Sequence, residues 1–248
     1  MYHMVREPQT PQEMRYACPP KRFYQHLAWL KRHRPLVSLA EIEAAFAGKT
    51  NLPEGAVAIT LDDGHGDNYT YAFPILQELN VPATVFLVTG YIGQTNRWMR
   101  HSPQLPMLTW PQIQEMHRYG IAFGAHTVTH PRLPELEPER AKPEILGSKH
   151  AVEDALGSPC EHFAYPYGAL DEASRQWVAE AGFTLACSTR SGFNHLARDP
   201  LVLHRIEIKG TDRIWQLKQK LTFGSHEANL TLPLRYYTQQ LKRKLSGG

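Results

Sequence analysis

The chain has 248 residues, 42% hydrophobic and 21% charged, with 17 Gly and 19 Pro. It can bury a sizeable core, and this composition excludes disorder, collagen-like repeats and a coiled coil. The net charge of +3 resides in the tail, because Thr231 to Gly248 carries Arg235, Lys242, Arg243 and Lys244 without an acid, and the body lacks the basic, aromatic-interleaved face of a nucleic-acid binder.

Short apolar runs alternate with longer amphipathic stretches, the pattern of βα units around a parallel sheet or barrel. In chain order, strands are predicted at Tyr2 to Val5, Leu36 to Val37, Ala56 to Leu61, Ala83 to Val88, Ile121 to Ala125, His162 to Tyr165, Phe183 to Cys187 and Leu201 to Ile206. Helices are predicted near Arg22 to Arg32, after the capping box Ser38-Leu39-Ala40-Glu41, and over Asn68 to Leu79. Others follow the N-caps Thr109 and Asp171, the latter stopping at Gly182, and cover Pro138 to Leu156, Asp212 to Leu221 and Leu234 to Lys244. The longest aperiodic segment, Gly90 to Leu108, carries Tyr91, Trp98 and Arg100 and is too long for a mere connector, so it is expected to wall a site. No apolar run approaches the roughly 18 residues of a membrane-spanning helix.

In a parallel barrel, reactive groups gather where strands end. Ala56 to Leu61 runs into Asp62-Asp63-Gly64, Ile121 to Ala125 into His126 with His130 four residues on, His162 to Tyr165 into Pro166-Tyr167-Gly168, and the last strand carries His204 and Arg205. Composition alone yields about 0.7 His-x-x-x-His pairs but only about 0.01 Asp-Asp-Gly, so the carboxylate motif is the more telling. Alone it would read as a turn. Adjacent residues leaving a strand point apart, freeing one carboxylate to bind a metal and the other to act as a base. Asp63, His126 and His130 would make a three-ligand site with open positions, the signature of catalytic zinc.

Thr60 to Gly64, His126-Thr127-Val128-Thr129-His130 and Phe163 to Gly168 resemble the first three motifs of the polysaccharide deacetylases, the NodB-homology or carbohydrate esterase 4 family. The similarity runs from Tyr2-His3 through Pro82 to Phe86 to Leu203-His204-Arg205-Ile206, and its motif style is that of the poly-N-acetylglucosamine deacetylase branch. It implies an α/β fold, a distorted (β/α) barrel of about seven strands, in one domain over 1–248 with a basic helical tail at about 233–248. It also implies a metal-dependent hydrolase that removes N-acetyl or O-acetyl groups from a glycan, using Zn²⁺ first, with Co²⁺ or Ni²⁺ as alternatives. Carried over, Asp62 is the general base, Asp63, His126 and His130 are the metal ligands, and the Tyr167 N–H binds the oxyanion.

Two departures follow. The Arg that many members carry in the third motif is replaced by Ala164-Tyr165, which makes Arg205 the expected partner of Asp62, and no Asp-Trp motif is found. Since side chains alternate along a strand, only one of His204 and Arg205 should face the barrel mouth. Arg205 is favoured for that place, with His204 kept as the candidate acid. His3, His65 and Asp67 are read as structural, and Trp110 and Trp215 as core, while Trp98 and Tyr167 can stack on sugar rings. The rival readings are an amidase or deformylase on a small or lipid-linked amide, and a silent carbohydrate-binding module. Cys18, Cys160 and Cys187 form no disulfide or zinc framework and are read as reduced. No signal peptide is legible, which points to the cytoplasm, with the basic tail able to touch an anionic membrane, or to an extracytoplasmic protein if a leader was trimmed.

Overall fold

The computed structural model describes residues 1–99, 103–233, 236 and 238. Its centre is a curled parallel sheet in the order β3 (Ile59–Leu61), β4 (Ala83–Leu87), β5 (Ala122–Ala125), β6 (His162–Ala164), β7 (Leu185–Cys187). These five strands form a half-barrel. The other expected staves are irregular. Tyr2 meets Leu61, and Leu203 meets Cys187, through single parallel bridges, and Ile208 donates to the Met1 carbonyl at 3.0 Å. Pro200 starts a 3₁₀ turn over Pro200–Val202, since it has no N–H for a ladder. Leu36 likewise forms only a bridge, to Val57. Residues beyond Tyr2 leave the sheet, and β1 (Met4–Val5) pairs instead with β2 (Ala17–Cys18), a strand the periodicity did not predict.

The helices pack outside: α1 (Pro20–His33), α2 (Leu39–Phe46), α3 (Phe73–Leu79), α4 (Trp110–Arg118), α5 (Pro138–Leu156), α6 (Glu172–Glu180) and α7 (Ile214–Phe223). The Ser38 capping box forms as expected, its hydroxyl accepting from the Glu41 N–H while Glu41 accepts from the Ser38 N–H. The helix predicted from Asn68 begins as a π-helical turn, Asn68–Ala72, because Pro74 has no N–H to return to the preceding turn. The predicted helix Leu234 to Lys244 and Arg100 lie outside the described residues. Among the described residues no helix is long and apolar enough to cross a membrane.

Strand alternation sorts the core. Val85 and Leu87 pack under the helices, whereas Phe86, Ala164, Leu185, Cys187 and Leu203 form an inner cluster with Leu39, against which Ile42 and Phe46 of α2 pack. Each large apolar side chain buried there stabilises the fold by roughly 1.5–3 kcal/mol. Phe86 fits only because residue 124 is Gly, since a Cβ there would lie 2.6 Å from its ring. These apolar side chains line the inner face of the half-barrel, and the carboxyl ends of the strands are the place for polar groups.

Candidate active site

Asp62 and Asp63 leave β3 in opposite directions. Asp63 adopts φ +76° and Gly64 φ +78°, and a Cβ on Gly64 would meet Leu87 at 2.7 Å. This left-handed pair turns Asp63 across the mouth while Asp62 stays over the interior. Asp62 receives both terminal nitrogens of Arg205, at 2.6 and 2.7 Å, and the guanidinium also donates to the Ser188 carbonyl at 2.9 Å. Both partners are buried. Burial pushes the Asp62 carboxyl up, but the charges of Arg205 and His126 and the Arg205 hydrogen bonds outweigh it and hold the pKa below its ordinary value.

Asp63 faces the histidines. Its Oδ1 lies 3.5 Å from His126 Nε2 and 3.4 Å from His130 Nε2, and the two ring nitrogens are 3.2 Å apart. His126 Nδ1 donates to the Ala164 carbonyl at 2.6 Å, which leaves Nε2 as the lone-pair atom. Ligand distances of roughly 2 Å in a tetrahedral arrangement produce donor separations of roughly 3.3 Å, so the three spacings are the edges of such a site. Among the described residues this buried trio is the one group placed to hold a metal ion, and its two imidazoles and one carboxylate suit zinc or its neighbours. Burial pushes the Asp63 carboxyl up, yet hydrogen bonding with His126, His130 and His65 brings it well below the ordinary range.

Sequence reasoning read His65 as structural. The structure places it in the site, its side chain 1% exposed and its Nε2 3.3 Å from Asp63 Oδ2, and Nδ1 has no protein partner. Its signal was position, directly after Asp-Asp-Gly. Asp67 is structural as expected, accepting from the Val5 N–H and the Asn68 amide.

Tyr167 sits at φ +58° in the turn after β6. Its half-exposed ring lies edge-on to His130, centroids 4.5 Å apart, with the Arg132 guanidinium 4.4 Å from its centroid. Trp98, from the long loop, is 5.1 Å from the His130 ring. These groups line a cavity of about 570 Å³ that also takes in His3, Glu207 and His226. Glu207 is held by Arg15 at 3.0 and 2.9 Å. His226 accepts from the Glu207 N–H and donates to the Thr189 carbonyl, so both its nitrogens are engaged. Trp110 packs against the core, but Trp215 is 44% exposed, contrary to expectation, because its position on α7 faces outward.

His204 lies apart from this cluster. Arg205 takes the inward position, so its neighbour points away, and His204 lines a separate cavity between α2 and the segment around Phe193. Arg198 donates to its Nε2 at 2.8 Å. Burial, followed by the charges of Arg198 and Arg190, lowers its pKa.

Comparison with known proteins identifies the family. A family model described as polysaccharide deacetylase matches residues 49–186. A putative polysaccharide deacetylase, YxkH, from Bacillus subtilis is 26% identical over 209 residues, covering 84% of this chain and 70% of that protein. A poly-beta-1,6-N-acetyl-D-glucosamine N-deacetylase from Staphylococcus epidermidis is 28% identical over 183 residues, covering 68% of this chain and 62% of the relative. Among solved structures, the Streptococcus pyogenes deacetylase PplD in complex with acetate superposes with a TM-score of 0.77 at 27% identity, covering 90% of this chain and 96% of that one. IcaB from Ammonifex degensii gives 0.76 at 26% identity, with coverage of 90% and 94%. With the matched region exceeding half of the chain and the fold shared over nine-tenths of it, the chain belongs to the polysaccharide deacetylase family of hydrolases.

Proposed function

We propose that the chain hydrolyses acetyl groups from an N-acetylated glycan, with a divalent ion held by Asp63, His126 and His130 and with Asp62 as general base. The observation that carries this reading is the tetrahedral-edge spacing of three buried ligand atoms beside a second carboxylate clamped by Arg205. When bound, the ion supplies a Lewis acid for the acetyl carbonyl and makes water more acidic. Zn²⁺ is the first candidate and Co²⁺ or Ni²⁺ the alternatives, because imidazole and carboxylate donors suit all three.

Asp62 takes the proton of the attacking water. Arg205 keeps that carboxylate ionised and fixed, and each oxygen retains a lone pair for the water. The Tyr167 N–H, in its left-handed turn beside His130, is the assigned oxyanion donor. The leaving amine needs a proton, and His3 is better placed than His204 to give it. His3 lines the site cavity; burial lowers its pKa, and the charges of Asp63, Asp62 and Glu207 offset that only in part, so it stays below its ordinary value. Trp98 and Tyr167 offer faces on which a sugar ring can stack. The choice of an N-acetylated glucosamine polymer leans on the name of the staphylococcal relative.

The test is acetate release from N-acetylated and O-acetylated oligosaccharides, with bound metal quantified in the same samples. Metal-dependent release from the N-acetylated series supports the proposal. Release confined to small non-sugar amides would favour an amidase, and no release with metal bound would overturn the deacetylase reading.

A further inference from the structure

The turn that joins the two histidines of the cluster is held from outside by a residue that no motif contains. Thr127 and His130 adopt φ +67° and +63°, a left-handed conformation that is strained for a non-glycine residue. The Val128 and Thr129 N–H groups both donate to Glu144 Oε2, at 2.9 and 2.7 Å, and the Thr129 hydroxyl donates to Glu144 Oε1 at 2.6 Å. Inside the turn, the Thr127 hydroxyl accepts the His130 N–H at 3.0 Å. Glu144 lies on α5, so one carboxylate ties the ligand turn to the longest helix through three charge-assisted bonds.

We propose that Glu144 is a positioning residue for the metal: its carboxylate fixes the strained turn and thereby sets His130 against His126 and Asp63. The inference rests on the metal-site reading above. Glu144 is not one of the three ligand residues, and its effect passes through His130.

The experiment is a titration of the metal-free protein with Co²⁺ and Zn²⁺, comparing wild type, Glu144→Ala, Glu144→Gln, His130→Ala and the His130→Ala/Glu144→Ala double variant. Loss of a group that orients a ligand weakens metal binding by roughly 10- to 100-fold, and this is the loss expected for Glu144→Ala. Glu144→Gln should recover most of it, since its amide oxygen can accept both N–H groups and its NH₂ can donate to the Thr129 hydroxyl. In the His130→Ala background, Glu144→Ala should cause no further loss, because the coupled ligand is gone. Equal affinity of wild type and Glu144→Ala, or the same loss with and without His130, would overturn the proposal. No metal binding by wild type would instead overturn the metal-site reading. If Glu144→Ala does not fold, Glu144→Asp, one methylene too short to reach the turn, takes its place in the same cycle.

Discussion

The mouth and the floor of the half-barrel are built on opposite terms. The floor is apolar side chains in ordinary strand geometry, with Phe86, Leu185 and Leu203 packed against Leu39 of α2. The mouth is buried carboxylates and imidazoles on strained backbone. Of the five non-glycine residues with positive φ among the described residues, Asp63, Thr127, His130 and Tyr167 lie here, and only Asn80, at the end of α3, does not. Strain of this kind persists where the surroundings over-determine it, and here the surroundings include the hydrogen bonds of Ala164, Glu144 and Thr127. The floor supplies stability and the mouth consumes some of it to hold its donors in place.

The largest effects should therefore come from the mouth and appear in activity. Exhaustive chelation should abolish acetate release, and Zn²⁺, Co²⁺ or Ni²⁺ should restore it; full activity in protein verified as metal-free would break the scheme. His126→Ala should lose both metal and activity. Asp62→Asn should keep its metal while turnover falls by roughly 10²- to 10⁴-fold, the range for a lost general base. Equal metal loss in both variants would show that Asp62 is a ligand.

The floor should respond in the other quantity. Phe86→Ala should destabilise the fold by about 3–5 kcal/mol, the range for emptying a buried aromatic site, measured by denaturant unfolding of the metal-free protein. Its metal affinity should change far less than that of Glu144→Ala. A large affinity loss in Phe86→Ala would mean that floor and mouth are not separable, which the Arg205 guanidinium, 5.6 Å from the Phe86 ring centroid, makes a meaningful risk to test.

The same division governs how much was legible in the sequence. Asp62, Asp63, His126 and His130 could be read directly, because each follows an apolar strand and strand ends converge in a parallel barrel. Arg205 is favoured as the Asp62 partner because the third motif lacks its usual Arg; alternation says only that one of His204 and Arg205 should face the mouth. Glu144 could not, since it lies 16 residues from Val128 on a helix whose period reports only which face is buried. Nor could the edge staves be read correctly. Leu201 to Ile206 has the apolar content of a strand, yet Pro200 and the side-chain bonds of Asn194 to both backbone groups of His204 leave it a single bridge.

Acidification should separate a neutral buried imidazole of the scaffold from the charged groups of the mouth. His26 on α1 accepts from the Tyr2 hydroxyl at Nδ1, 3.2 Å, and donates from Nε2 to the Asp212 carbonyl, 2.9 Å. Burial lowers its pKa to about 4. Between that value and the ordinary value of about 6.5 the unfolded chain binds the proton and the folded chain does not. The contribution is thus present above pH 6.5 and lost as pH falls toward 4, by up to roughly 3 kcal/mol. Asp62 and Asp63, with lowered folded values, act lower: their contribution is present above the ordinary carboxylate pKa and is lost as pH falls through the folded values. His26→Gln should flatten stability between pH 6.5 and 4 and leave the steeper acid limb in place. An unchanged slope in the upper window would assign it to other histidines.

The smallest effect is expected where the chain runs between the two regions, at His204. Its neighbour Arg205 faces Asp62, whereas His204 faces Arg198 and lines a separate cavity. An imidazole that accepts an arginine N–H at Nε2, with a pKa lowered by burial and then by two arginines, is unprotonated at neutral pH and has nothing to donate to the mouth. His204→Ala should therefore leave turnover on an N-acetylated oligosaccharide within about twofold of wild type, well below the 10²-fold or greater loss typical of a missing general acid. His3→Ala should show that larger loss, and should show it less on activated esters, whose leaving groups scarcely need a proton. If the two phenotypes were exchanged, the last stave would have to present His204 to the mouth during turnover, and the inward place of Arg205 would describe only the resting chain.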